Sequence, residues 1–142
     1  MTETLQNSVA AECQRLIFAY AYWVDHGGAD QLETLFVKDA SLERGGVILH
    51  GASQIRRALL ERDPELQTHH HCSTIHIEVQ SAEQAFGVTY FQLFRQKVEA
   101  HKKDTGSPLP TQTPAIGEYH DEFVKTPAGW RFRKRVTRAV FR

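Results

Sequence analysis

The run ELQTHHHCSTIHIEV, Glu65 to Val79, is where the chain changes character. Its second half alternates polar and apolar residues with a period of two, as a β-strand with one wet and one buried face does. Upstream, the pattern is helical except for one hairpin; downstream, it is strand after strand. The run also holds four of the chain's eight histidines, His69, His70, His71 and His76, so its pairing register decides which of them meets the interior.

Upstream, no Gly or Pro interrupts Leu5 to Asp25, and Leu16, Ala19, Tyr20 and Trp23 recur at helical spacing, which predicts a first helix stopped by HGG at 26–28. ADQLETLF at 29–36 predicts a short second helix with Leu32, Leu35 and Phe36 on one side. ASLERGGVILHG at 40–51 reads as a hairpin about Gly45-Gly46, and ASQIRRALLER at 52–62 as a third helix with Ile55, Leu59 and Leu60 inward, ended before Pro64. Downstream, strands are expected over His70–Ser81, Ala85–His101, Ala115–Lys125 and Trp130–Phe141. Turns fall at SAEQ and TPAG, with the polar loop KKDTGSPLPTQTP between the middle pair. Helices followed by an antiparallel meander define an α+β fold, with N-terminal helices packed on one face of a curved sheet and an apolar pocket at its open end. A length of 142 residues suits one domain over 1–142.

Composition narrows the partners. Lys plus Arg (17) balances Asp plus Glu (17), so no global field favours nucleic acid or an acidic membrane. The basic tail WRFRKRVTRAVFR interleaves its charges with Trp130, Phe132, Val136 and Val140, which predicts a strand with one wet face. Asp121 and Glu122 then pair across strands with Arg131, Arg133 and Arg135. Cys13 and Cys72 have no metal-ligand spacing and read as reduced thiols. The start MTETLQNSVAAECQ is unlike a signal peptide, and no apolar run approaches membrane-spanning length, so a cytoplasmic protein is expected.

Consecutive histidines on a strand point to opposite faces, and no Cys or carboxylate recurs at ligand spacing, so neither a metal nor another cofactor is expected. A histidine whose far ring nitrogen is held by a carboxylate is instead a general base. Strict alternation places His71 and Ser73 with Ile75, Ile77 and Val79, and His70 and Cys72 on the other face.

In this order, YAYWVDHGGADQLETLFVKDASLERGG, HGASQIRRAL, THHHCSTIHIEV and GEYHDEFVKTPAGWRFRKR resemble the SnoaL-like proteins of the nuclear transport factor 2-like superfamily, from Leu16 to Arg138. The resemblance implies a cone-shaped α+β barrel. It also implies, by likeness to scytalone dehydratase, bile-acid dehydratase and hexachlorocyclohexane dehydrochlorinase, that Asp25 at the end of the first helix pairs with His70. CSTIHIEV is similar to the dehydrochlorinase strand with Thr74 in place of an Asn. The second histidine of scytalone dehydratase has no counterpart in FQLFRQK. The resemblance therefore names His70 where simple alternation names His71; a bulge in the strand would restore His70. Tyr22, Tyr90, Tyr119 and His120 are further candidates to contact substrate, a tyrosine hydroxyl polarising a carbonyl as in the family's dehydratases.

The superfamily hosts unrelated functions, so fold alone decides little. The expected function is a cofactor-independent lyase or isomerase acting on a small apolar oxygenated metabolite such as a polyketide, steroid or aromatic compound. The alternatives are a non-catalytic binding or assembly domain, or a partner resembling an oxygenase β-subunit. A homodimer is expected, with Phe91, Leu93, Phe123 or Phe141 on the outward face of the sheet needing cover.

Overall fold

The computed structural model describes residues 1–99, 102–103 and 106–141. The chain runs α1 (Glu3–His26), α2 (Ala29–Glu33), β1 (Phe36–Arg44), β2 (Val47–His50), α3 (Ala52–Leu60), β3 (Leu66–Val79), β4 (Gln84–Lys97), β5 (Ala115–Thr126) and β6 (Gly129–Phe141). One six-stranded sheet has the order β2-β1-β6-β5-β4-β3. Every pairing is antiparallel except β1 with β6. The helices cover the sheet's inner face, with α1 against β3, β4 and β6, and the core fills the space between. No helix among the described residues is long and apolar enough to cross a membrane.

Local chemistry sets the limits of α1. The Thr2 hydroxyl accepts from the Leu5 backbone N–H at 3.1 Å, and Gly27 closes the other end at φ 73°, a left-handed conformation that costs glycine little. Trp23 then lies over Gly28, where a Cβ would come within 2.4 Å of its ring. The stop therefore fixes Asp25 in the last turn of the helix.

Three elements differ from expectation. The second helix ends at Glu33, and Phe36 opens β1 rather than closing a helix, because the Phe132 N–H donates to Leu35 O (2.8 Å) and draws this segment alongside β6. β3 begins at Leu66, four residues before His70, where the sequence predicts its start. β4 spans 84–97, and the expected strand end at Ala100 and His101 lies outside the described residues.

Two of the sheet's register shifts overturn the simple alternation around the site. In β3 the register passes from Cys72 opposite Phe91 to Ile75 opposite Thr89, so three steps on β3 match two on β4. His70, Cys72, Ile75, Ile77 and Val79 consequently share the inner face, while His69 and His71 point out. In β6, Lys134 lies opposite Glu122 but Phe132 lies opposite Phe123. Trp130 and Phe132 are inward, and one step later so is Arg135, which alternation assigns to the wet face; Val140 is 49 % exposed. Phe91 and Phe123 are buried inward and Leu93 packs against the core, which corrects their expected outward placement; Phe141 is exposed.

Candidate active site

Asp25 and His70 meet where the end of α1 crosses the first turns of β3. The His70 ring donates from Nδ1 to Asp25 Oδ1 at 2.6 Å, and the His70 backbone N–H donates to Oδ2 at 2.7 Å. The Thr68 hydroxyl adds a third donor to Oδ1 at 2.8 Å. Both side chains are withdrawn from water, 8 % exposed for His70 and 7 % for Asp25. An ionised carboxylate can only accept, so Nδ1 carries the proton and the lone pair of the neutral ring lies on Nε2, which bonds to no described residue.

A carboxylate at the C-terminal end of a helix faces the negative end of the helix dipole. Burial also opposes its charge, yet the ring and backbone donors of His70, the His70 charge and the Thr68 hydroxyl outweigh burial and hold the Asp25 carboxyl below its ordinary 3.8. In the unfolded chain that depression is lost, so ionised Asp25 stabilises the fold above 3.8 and its contribution fades as pH falls through the lower folded value. Asp25→Asn is expected to melt below wild type at neutral pH, with the gap narrowing in acid. Melting curves across the acid range check this, and a gap independent of pH would contradict it.

Behind the pair, the sheet interior holds a second polar group that sequence reasoning left on the surface. Arg135 donates from Nε to Asp121 Oδ1 (2.7 Å) and from Nη2 to Oδ2 (2.9 Å), both side chains being 0 % exposed. Its guanidinium carbon lies 3.8 Å from the Tyr119 ring centroid and 4.3 Å from that of Tyr20. Burial opposes its charge, but Asp121 more than compensates and strengthens its ionisation. Arg135 Nη1 and Thr89 Oγ1 are buried without a hydrogen-bond partner among the described residues, which is costly unless something else engages them. Cys72 lies between the two groups: burial raises its thiol, and the charges of Arg135, Asp121 and Asp25 all reach it.

The other expected contacts scatter. Tyr119 is inward and 3 % exposed, and burial raises its hydroxyl well above 10, so it stays a protonated donor. Tyr22 is 53 % exposed on the outer side of α1, stacked on His26 at 4.2 Å, rather than beside Asp25. Tyr90 is 49 % exposed on the outer sheet face, where His120 also lies and contacts Glu118 at 3.0 Å. His71 is outward too, its Nε2 2.9 Å from His69 Nδ1, so the structure does not bring it to Asp25. Of the expected cross-strand pairs, Asp121 takes Arg135, while Arg131 donates to the backbone carbonyls of Trp130 and Ala128. The signal that could have found Arg135 is that it stands directly opposite Asp121 in the register.

Comparison with known proteins gives one family and many shared folds. A SnoaL-like domain model matches residues 8–136. No curated protein matches the chain. Among solved structures, a putative scytalone dehydratase from Novosphingobium aromaticivorans DSM 12444 superposes with TM-score 0.78 at 22 % identity, over 99 % of this chain and 89 % of that one. A type 2 hexachlorocyclohexane dehydrochlorinase gives 0.81 at 17 % identity, over 99 % and 90 %. A nuclear transport factor 2-like protein with a cystatin-like fold, also from Novosphingobium aromaticivorans, gives 0.76 at 20 %, over 96 % and 86 %. At such identities the likeness is one of fold.

Proposed function

Because this chain belongs to the family of SnoaL-like domains, we propose that it is a lyase or isomerase that needs no cofactor and removes a proton from carbon with the His70–Asp25 pair. The observation that carries the reading is the buried 2.6 Å contact between His70 Nδ1 and Asp25 Oδ1, which leaves Nε2 as the free base. As Nε2 takes the proton, Asp25 stabilises the imidazolium and holds the ring in position. The electron pair left on carbon moves onto an adjacent carbonyl or expels a leaving group on the neighbouring carbon. The Tyr119 hydroxyl and the unpartnered Arg135 Nη1 are the donors we assign to the developing negative charge. The substrate is a small, largely apolar, oxygenated molecule.

A panel of apolar ketones and β-hydroxy ketones incubated with the protein in D₂O tests the reading. Protein-dependent deuterium uptake next to the carbonyl, or elimination of water, is expected for at least one member. A folded protein inert towards the whole panel, returning bound compounds unchanged, would favour a binding domain.

A homodimer is also proposed, through the outer sheet face. There Phe86, Val88 and Val136 line a hollow of about 290 Å³, and Tyr90 is 49 % exposed. Light scattering at micromolar concentration should give twice the chain mass, and Tyr90→Lys should lower it; a monomeric wild type would contradict the assignment.

A further inference from the structure

Two arginines near the catalytic pair stand outside the ion pairs formed among the described residues. Arg44, at the end of β1, and Arg62, just past α3, both line a small inner hollow, whose other walls are apolar side chains such as Leu42 and Ile55. Neither forms an ion pair with any described residue. Arg62 spends one donor on a neutral hydroxyl, Nη1 to Thr68 Oγ1 at 3.2 Å, the same hydroxyl that donates to Asp25. Burial and the neighbouring Arg44 both oppose the charge on Arg62, and only Asp25, one hydroxyl away, favours it. A guanidinium remains cationic under these conditions, so this one is desolvated and short of an anion.

Arg62 and Leu59 also line a second, larger concavity, an open groove of about 620 Å³ with Thr68 and Asp25 in its floor. The carboxylates there are already engaged: Asp63 contacts Lys97 at 3.1 Å, and Asp25 is held by Thr68 and His70. Arg62 and Lys103 match Asp25 and Asp63 in number, but Arg62 contacts the Thr68 hydroxyl rather than a carboxylate, so its guanidinium keeps donors for an incoming anion. Its walls are apolar, through Leu59, Leu60 and Leu66, and Leu60 is 57 % exposed. An uncovered apolar wall beside a guanidinium with free donors and no direct ion pair is complementary to a molecule that is hydrocarbon at one end and anionic at the other.

We propose that the molecule on which the His70–Asp25 pair acts is a small apolar acid, whose carboxylate is held by Arg62 with Arg44 and Lys103 nearby, and whose hydrocarbon body lies along Leu59, Leu60 and Leu66. The proposal rests on the lyase or isomerase reading and adds the class of substrate to it. Arg62 lines both the groove and the inner hollow and shares the Thr68 hydroxyl with Asp25, so a carboxylate held there would lie close to the catalytic pair.

The test uses 2-naphthoate and its neutral isostere 2-naphthamide, titrated into the full chain by calorimetry and by the ring signals of His70. Wild type should bind the acid at least about tenfold more tightly than the amide, as charge-assisted hydrogen bonds require. Arg62→Gln should bring the two to parity, and Arg62→Lys, which keeps the charge, should retain part of the preference and so separate charge from loss of the Thr68 contact. Equal affinities in wild type, a preference that survives in the Arg44→Gln, Arg62→Gln double variant, or no binding of either compound would overturn the proposal. If the amide shifts the His70 signals as strongly as the acid, the acid preference falls while the proton-abstracting pair stands; deuterium uptake across the ketone panel judges that pair separately.

Discussion

His70→Gln is expected to lower turnover by about 10²–10⁴-fold while leaving the melting curve within a few degrees of wild type. Glutamine keeps the backbone N–H that bonds Asp25 Oδ2 at 2.7 Å and can still offer a side-chain donor, but it has no basic nitrogen. Asp25→Asn keeps one acceptor oxygen but loses the charge that stabilises the imidazolium and turns an N–H donor towards the donors of His70 or Thr68, so its turnover should fall by a comparable factor; its stability at neutral pH should fall as well. The two losses should not add, because the residues act as one unit. His71→Gln is the internal control: that ring lies on the outer face against His69 and Phe94, and its removal should leave turnover unchanged.

The largest effect on stability is expected at Asp121. Asp121→Ala would leave the Arg135 guanidinium fully buried with no counter-charge among the rings of Tyr20, Tyr119 and Phe132. Breaking a buried pair in this way costs about 3–5 kcal/mol, a large part of the 5–15 kcal/mol that holds a domain of this size. Urea denaturation measures it directly. The Asp121→Leu, Arg135→Met double variant should recover most of that loss, since replacing both partners removes the uncompensated charge as well as the pair. The same double variant should still be poor in turnover, because the inward donor at Arg135 Nη1 has gone. An Asp121→Ala protein as stable as wild type would mean that the pair does not hold the interior together.

The order of elements is legible in the sequence because it depends on local periodicity and punctuation. The uninterrupted run from Leu5 to Asp25, the Gly45-Gly46 turn and the alternation after Glu65 each specify an element with little help from the rest of the chain. The site is legible only in part, and the reason is parity. A one-residue bulge leaves no mark in composition, yet it moves every later side chain to the other face. The bulge between Cys72 and Ile75 lets His70 and the isoleucines share the interior, and the one across from Glu122 and Phe123 turns Arg135 in; Val140 is the extra residue of a further shift opposite Ile116 and Gly117. Each is set by how a strand pairs with its hairpin partner, which the periodicity of either strand alone does not report. Phe36 follows the same rule: LETLF is helical by pattern, but pairing with β6 takes its last residue into a strand. Tyr22 misleads for a different reason: its spacing of three from Asp25 suggests a shared helical face, yet its ring lies outside, stacked on His26.

The central claim is that His70 Nε2 takes a proton from carbon while Asp25 holds the other side of the ring. Deuterium uptake into a responsive ketone by His70→Ala, with and without added imidazole, tests it most directly, because the free base can enter the space the side chain leaves. Uptake should be abolished in the variant and partly restored by imidazole in proportion to its unprotonated form. Uptake by His70→Ala at the wild-type rate without imidazole would contradict the account.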